Sequence, residues 1–599
     1  MTGWSGQKSG QVDSGLANGR VAVSQFRVKG SAIKLEGVGK ETLEQGRNRL
    51  VVAGVLFAFC FVVLAGRLVG LALSGDGSVE TSGEHLQASR PALEKDVGSR
   101  GGIYDRNGQL LAVTLDTVSL FADPRKVPDA DAAAKKIVRV LPDLSEATVR
   151  SLLSGDRSFV WLKRHLTPKQ QYDVNALGIP GLFFRDEERR FYPFGPLISH
   201  ITGYTDVDNN GIAGVEKYFD DQLSGRDRGQ AEPVALSLDV RVQHALRDEL
   251  SRYMSIFQAI GASGMVMDVK TGEILGMVSL PDFDPNRPSD FSSDSKFNKA
   301  TLGVYEMGST FKVFTTAMAL DMRSVALSDG YDATEPIRIA GFRIRDDHPK
   351  KRWLSVPEIF MYSSNIGTAK MADAIGPKKH KAFLAKLGLL ERPAIELPEV
   401  GAPILPPRWN TLETMTISFG HGLSVSPLQL STAVGSMVNG GVYVNPTILK
   451  KTGETEVEGK RVISTKTSGV VRRLMRLVVD KGTGRKAAAE GYLVGGKTGT
   501  AEKAVNGRYK RNALITSFVS AFPMDNPRYV VFAMLDEPKG NASTHGFRSA
   551  GWTTAPIVSR LVSRIGPILG IAPKDEQSES VQKALHIPVY SREKNVASF

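Results

Sequence analysis

A serine three residues ahead of a lysine, in Ser309-Thr310-Phe311-Lys312, offers a hydroxyl nucleophile beside an amine that can take its proton. Downstream, Ser363-Ser364-Asn365 adds a second hydroxyl and an amide, and Lys497-Thr498-Gly499-Thr500 adds a cation flanked by hydroxyls. In that order the set supplies a nucleophile, a base, a proton carrier, an amide to hold substrate and a strand that binds a carboxylate. Acyl transfer through a serine ester needs those parts. Each member alone is weak. Ser-x-x-Lys recurs at Ser5, Ser31, Ser293, Ser580 and Ser591, and Lys-Thr-Gly at Lys270 and Lys451.

The local settings favour the ordered trio. Phe311, Val313, Phe314, Ala317 and Leu320 predict a helix over 309–320. Residues three apart share a helical side, so Ser309 and Lys312 lie together, and the helix start favours negative charge on the serine oxygen. Burial in a cleft lets such a lysine lose its proton. The plain alternative is a capping serine with an exposed lysine at 309–312, and another cap at 363–365 ahead of a helix over 366–374. Lys497 follows Gly495-Gly496 on a predicted strand over 493–500. Its period of two puts Thr498 and Thr500 on one side, Lys497 and Gly499 on the other. An exposed edge there can receive an extended peptide by strand addition.

Other motifs fail on context. Gly491 to Thr498 fits a phosphate-binding loop, yet the apolar strand falls inside the supposed loop and Gly499 follows where a long helix is required. Asp206-Val207-Asp208-Asn209-Asn210-Gly211 opens like a calcium-binding loop, but the twelfth position is Lys217, with Glu216 one place early. A polar turn accounts for it. The histidines and the cysteine form no metal-ligand pattern, and His421 reads as a structural loop residue.

A chain of 599 residues has room for about two to four domains. The net charge of +13 is spread along the sequence, which argues against a dedicated nucleic-acid binder and suits a surface facing anionic lipid. A single cysteine, Cys60, excludes an intrachain disulfide. It sits in the apolar run 50–73, long enough for the roughly 20 residues a bilayer core needs. Arg67, the one charge in the run, lies toward the far end, where its stem can snorkel. Lys40, Arg47 and Arg49 precede the run, while Asp76, Glu80 and Glu84 follow it, which places the N-terminus in the cytoplasm. The long polar lead argues against a cleaved signal peptide. The expected organisation is a cytoplasmic tail 1–49, a transmembrane helix 50–73, a mixed α/β pedestal 74–235, an α/β domain 236–572 of antiparallel strands with a helical lobe, and a flexible tail 573–599. In the pedestal, Asn107-Gly108 marks a hairpin, and helices are expected over 129–140 and 146–153.

From about Val97 to Ala572 the chain resembles the class B penicillin-binding proteins, membrane-anchored peptidoglycan D,D-transpeptidases. The likeness rests on Ser309/Lys312, Ser363/Asn365 and Lys497-Thr498-Gly499. Arg100-Gly101, Asp105-Arg106-Asn107-Gly108, Gly214-Val215-Glu216, Pro427-Leu428-Gln429-Leu430 and Asn439-Gly440-Gly441 reinforce it. Tyr305-Glu306-Met307-Gly308 and Lys497-Thr498-Gly499-Thr500-Ala501 resemble the division-specific branch, although Met307 stands where that branch usually has Pro. No glycosyltransferase-like segment points to the bifunctional members. The resemblance implies a serine β-lactamase-like fold with a dimerisation-type pedestal. It implies Ser309 as nucleophile toward a D-Ala-D-Ala stem pentapeptide, Lys312 as base and Ser363 as proton carrier. Asn365 would position the donor; Lys497, Thr498, Gly499 and Thr500 would hold its carboxylate; the N–H groups of Ser309 and Thr500 would form an oxyanion hole. An amine of a neighbouring stem would resolve the ester, β-lactams would acylate Ser309, and no cofactor would take part. A lipid-II polymerase and other septal proteins are the implied partners, at the bacterial inner membrane with the catalytic domain in the periplasm. Rival readings are an elongation-specific transpeptidase, a D,D-carboxypeptidase or β-lactamase-like hydrolase, and an inactive β-lactam receptor or scaffold.

Overall fold

The computed structural model describes residues 100–590 apart from 227–228, 452–457 and 506–507, together with 55, 58–63 and 65. The expected N-terminal tail, most of the apolar run, residues 74–99 and residues 591–599 lie outside the described residues. Those described in the run are helical, and Val55, Phe59, Phe61, Val62 and Val63 are exposed. Among the described residues no helix is long and apolar enough to cross a membrane. The chain divides into two units, Met1–Pro91 and Ala92–Phe599. The second unit is itself built in two parts.

The first part rests on β1 (Ile103–Tyr104), β2 (Leu110–Ala122), β3 (Val160–Leu166), β4 (Leu182–Phe191) and β5 (Val234–Ala235). The Asn107-Gly108 turn joins β1 to β2 as expected, with Gly108 at φ 84°. The long β2 pairs with β3 and β4, and its alternate residues Leu120 and Ala122 face α1 (Ala130–Val140) and α2 (Glu146–Leu153). Asp129 caps α1 by accepting from Ala132 N. Where this part meets the next, Glu216 is fully buried between two guanidinium groups, 2.7 Å from Arg100 Nε and 2.7 Å from Arg190 Nε. Burial of three charges is tolerable only because each is paired and hydrogen-bonded. The Asp206 carboxylate is taken up by its own loop, accepting from Asp208 N, Asn210 N and Asn210 Nδ2.

The second part opens with α3 (Val240–Ile256), then the hairpin β6 (Gly261–Asp268) and β7 (Ile274–Leu280). The Lys270-Thr271-Gly272 decoy is its turn, with Gly272 at φ 76°. After β8 (Tyr305–Glu306) come α4 (Lys312–Asp321), α5 (Val356–Tyr362), α6 (Asn365–Ile375), β9 (Ser424–Val425), α7 (Pro427–Val438) and α8 (Thr465–Asp480). The sheet is completed by β10 (Gly495–Val505), β11 (Arg508–Phe522) and β12 (Tyr529–Asp536), followed by α9 (Ala555–Ile568). Strand order is β10-β11-β12-β6-β7, antiparallel throughout, with β10 at the edge. All eight residues of β6 and of β12 are buried, because α3 and α9 cover one face and α7 with the helical lobe covers the other. Residues after Thr498 continue as strand, so no phosphate-loop context exists there.

Two expectations need correction. Strand β10 starts at Gly495 and runs on to Val505, past the expected end at Thr500, because Glu502 and Lys503 interrupt any apolar alternation there. The segment after Pro573 is not a free tail as far as Tyr590. It forms α10 (Glu579–Leu585), buries Val581, Leu585 and Ile587 in the main core, and pairs Glu576 with Arg476 of α8 at 2.6 Å.

Candidate active site

Ser309 lies in a tight 3-10 turn, Gly308–Phe311, one step before α4 rather than on the helix itself. Gly308 makes the turn feasible. It sits at φ 53°, and a Cβ there would meet Thr500 O at 2.6 Å and Thr500 N at 3.2 Å. The nucleophile turn therefore rests directly against β10 at Thr500. Gly499 permits the same approach from the strand, since a Cβ there would stand 2.5 Å from Met307 O.

Lys312 opens α4 and is fully buried. Its Nζ lies 2.9 Å from Ser309 Oγ, 2.6 Å from Ser363 O, 2.9 Å from Ser363 Oγ and 2.7 Å from Asn365 Oδ1. Four oxygens surround a nitrogen that carries at most three protons. In the neutral amine two N–H groups donate, and the lone pair is left to accept from a hydroxyl. Burial pushes Lys312 down to about 7, against the upward pull of Asp346 and Asp347.

Ser363 ends α5 in the left-handed conformation, φ 62° and ψ 44°, which is strained for a residue with a Cβ. The next residue, Ser364, does the capping of α6 by accepting from Gly367 N. The capping explanation thus belongs to Ser364 alone, and the Ser363 hydroxyl remains for the cleft. From the other side Lys497, also fully buried, donates to Ser363 Oγ at 2.9 Å. It also donates to Thr498 O at 3.3 Å and to Thr498 Oγ1 at 3.4 Å. Burial and the neighbouring Lys312 push Lys497 well below the ordinary lysine range. Two amines thus share one hydroxyl, and their titration is a property of the pair.

Of the eight residues expected from the sequence, Ser309, Ser363, Thr498 and Thr500 line a cleft of about 600 Å³, Lys312, Asn365 and Lys497 join them through hydrogen bonds, and Gly499 packs against Met307. Several contributors were missed. Asp346, buried, accepts from Ser364 Oγ at 2.8 Å and Ile366 N at 2.9 Å and so fixes the α5–α6 junction. Thr483 Oγ1 lies 2.9 Å from Thr498 Oγ1. Phe547 and Trp552 stack, ring centroids 5.5 Å apart, along one wall. These come from loops with no periodicity. Asp346 and Asp347 sit among Arg343, Arg345, Lys350 and Lys351 in the sequence, so nothing there singles them out.

Family comparison agrees with this geometry. Residues 262–559 match the penicillin-binding protein transpeptidase domain, and residues 95–235 match the penicillin-binding protein dimerisation domain. A protein named probable peptidoglycan D,D-transpeptidase FtsI, from Caulobacter vibrioides, is 40% identical over 544 residues, 88% of this chain and 90% of that one. The chain belongs to the class B penicillin-binding proteins. Within them this penicillin-binding protein falls in the division-type branch. The Escherichia coli K12 protein named peptidoglycan D,D-transpeptidase FtsI is 30% identical across 88% of the chain and 92% of its own length. Among solved structures, penicillin-binding protein 3 of Mycobacterium tuberculosis, complexed with aztreonam, superposes with a TM-score of 0.63 at 25% identity, covering 80% of this chain and 97% of that one.

Proposed function

We propose that this chain is a peptidoglycan D,D-transpeptidase that cross-links stem peptides through an acyl-enzyme on Ser309, in septal wall synthesis during division. The observation that carries it is the single hydrogen-bonded cluster of Ser309, Lys312, Ser363, Asn365 and Lys497. Neutral Lys312 takes the Ser309 proton as Oγ attacks the carbonyl carbon of the penultimate D-Ala. The N–H groups of residues 309 and 500 meet the oxyanion, each worth about 2.7–4 kcal/mol. Collapse breaks the peptide C–N bond. Ser363 passes a proton from the lysine pair to the departing nitrogen, and free D-Ala leaves. An amine of a second stem then attacks the ester, forms the cross-link and returns a proton to Ser309 Oγ.

Lys497 and Thr498 receive the donor's terminal carboxylate. That carboxylate gives Lys497 the counter-charge it lacks in the empty cleft and so stabilises its ammonium. A charged Lys497 in turn disfavours protonation of the Lys312 amine, so donor binding readies the base.

The chain is further proposed to be held by a single span at 50–73, with 1–49 in the cytoplasm and the catalytic part in the periplasm. The exposed apolar helical residues Val55, Phe59, Phe61, Val62 and Val63 and the flanking charges support this reading. A membrane lipid-II polymerase and septal proteins are the proposed partners of the 74–235 pedestal. The test is fluorescent penicillin on wild type and Ser309→Ala in growing cells. Septal label on the wild type and none on the variant is expected; label persisting on Ser309→Ala removes the nucleophile assignment, and side-wall label without septal enrichment removes the division role.

A further inference from the structure

Beyond Thr500 the cleft strand leads to ionisable side chains that the acylation chemistry leaves unused. Glu502 continues the row begun by Thr498 and Thr500. Glu306, three residues ahead of the nucleophile, accepts at Oε1 from Tyr509 Oη at 2.9 Å and from Gly422 N at 2.9 Å. Its Oε2 has no hydrogen-bond partner. Neither has Nδ1 of His421, whose ring centroid lies 6.3 Å from that of Tyr509. Buried polar atoms are normally satisfied, so an orphaned carboxylate oxygen and imidazole nitrogen side by side point to a missing partner.

The missing partner is a cation. Lys503, the nearest lysine in sequence, is committed to Asp536 at 2.8 Å and Glu537 at 3.0 Å. Among the described residues neither Glu306 nor Glu502 has an ion-pair partner. Burial holds His421 below the ordinary imidazole range, against the pull of Glu306 and Glu502, so it stays neutral near pH 7. Burial and Glu306 hold the Tyr509 phenol protonated. Among the described residues two carboxylates therefore face this end without an ion-pair partner.

Strand geometry says what reaches it. With the donor's terminal carboxylate at Lys497 and Thr498, a peptide added along β10 advances about 3.4 Å per residue, which puts the third stem residue about 7 Å further on, beside Thr500. A lysine-like stem covers the remaining span to Glu502. The amine that resolves the ester belongs to a stem of the same polymer, so each donor stem carries that amine as well.

Resting on the transpeptidase reading, we propose that Glu306 and Glu502, with Tyr509 and His421, form a subsite for the ammonium on the third residue of the donor stem. It differs from the acylation machinery in recognising charge that takes no part in the reaction.

The test uses the full chain and two thioester donors, identical except that the third-residue amine is free or acetylated. Thiol release is followed in the first turnover only, before any amine can resolve the ester, with no separate acceptor added. The free-amine donor should acylate about fivefold more efficiently at low salt, with the gap closing as salt rises. Glu502→Gln and Glu306→Gln should each shrink the ratio, and the double variant should abolish it. The ratio is taken within each protein, so partial unfolding does not move it. Equal rates for both donors on the wild type overturn the subsite while leaving the acyl-enzyme intact, as does a ratio that survives in the double variant. Discrimination that emerges only once acceptor amine is added assigns the group to the acceptor and overturns the donor site. Absence of thiol release from either donor overturns the acyl-enzyme reading itself.

Discussion

Acylation of Ser309 by a β-lactam should rise with pH through neutrality and level off above about pH 8. An ordinary lysine at 10.5 is roughly 0.1% neutral at pH 7.4, whereas one near 7 is about 70% neutral, a gain of nearly a thousandfold in usable base. Burial supplies that gain at a cost of roughly 5 kcal/mol to the charged form. The sign is fixed by the chemistry: the reactive species is the free amine, so the rate follows its fraction upward. Two perturbations test the origin of the shift. Lys312→Arg keeps a cation that never deprotonates, and should lower the second-order acylation constant about 10³-fold with no pH dependence between 6 and 9. Asp346→Asn removes the first of the carboxylates that favour the charged amine, and should move the midpoint down by about one unit. Stopped-flow acylation across pH reads both. A wild-type midpoint above 9, or a midpoint that moves upward in Asp346→Asn, would refute the reasoning.

Gly308→Ala should reduce acylation about 10²-fold, because its Cβ must push the nucleophile turn away from Thr500 O, 2.6 Å distant; near-normal labelling would show that the turn can give way. Glu216→Gln leaves Arg100 and Arg190 buried with their shared anion gone, and urea unfolding should register a loss of about 3–5 kcal/mol. Ending the chain at Pro573 removes the burial of Val581, Leu585 and Ile587 and the Arg476–Glu576 pair. A net loss of about 3 kcal/mol is expected after chain ordering is subtracted, together with faster hydrogen exchange at 481–484. An unchanged melting temperature would mean that α10 only rests on the surface.

The three catalytic motifs were legible because their chemistry is local: a hydroxyl and an amine on adjacent turns, and a glycine pair before a lysine. The helix Ala130–Val140 was legible because Asp129 caps it and Ala133, Ala134 and Ile137 fall on one buried face. Asp346 was not, since its importance arises from Ser364 and Ile366, brought to it only by the fold. The division of labour between Ser363 and Ser364 was hidden for a similar reason. Nothing in Ser-Ser-Asn says which serine caps the helix, and the answer comes from the left-handed backbone at residue 363. The docking of α10 was obscured by the polar residues around it; Val581, Leu585 and Ile587 form an apolar stripe too sparse to stand out until α8 is seen to receive it.

The open margin of the sheet carries a hazard as well as a use. Unpaired amides along β10 invite any extended chain, including another copy of this protein. Yet a bulge between Glu502 and Lys503 in the pairing with β11 twists the strand a few residues beyond Lys497, and charge gathers where the twist falls. A short guest pairs before the twist, while a longer intruder must follow a strand that turns away from it. Length becomes a filter, and the enzyme can leave its flank uncovered without adhering to its neighbours.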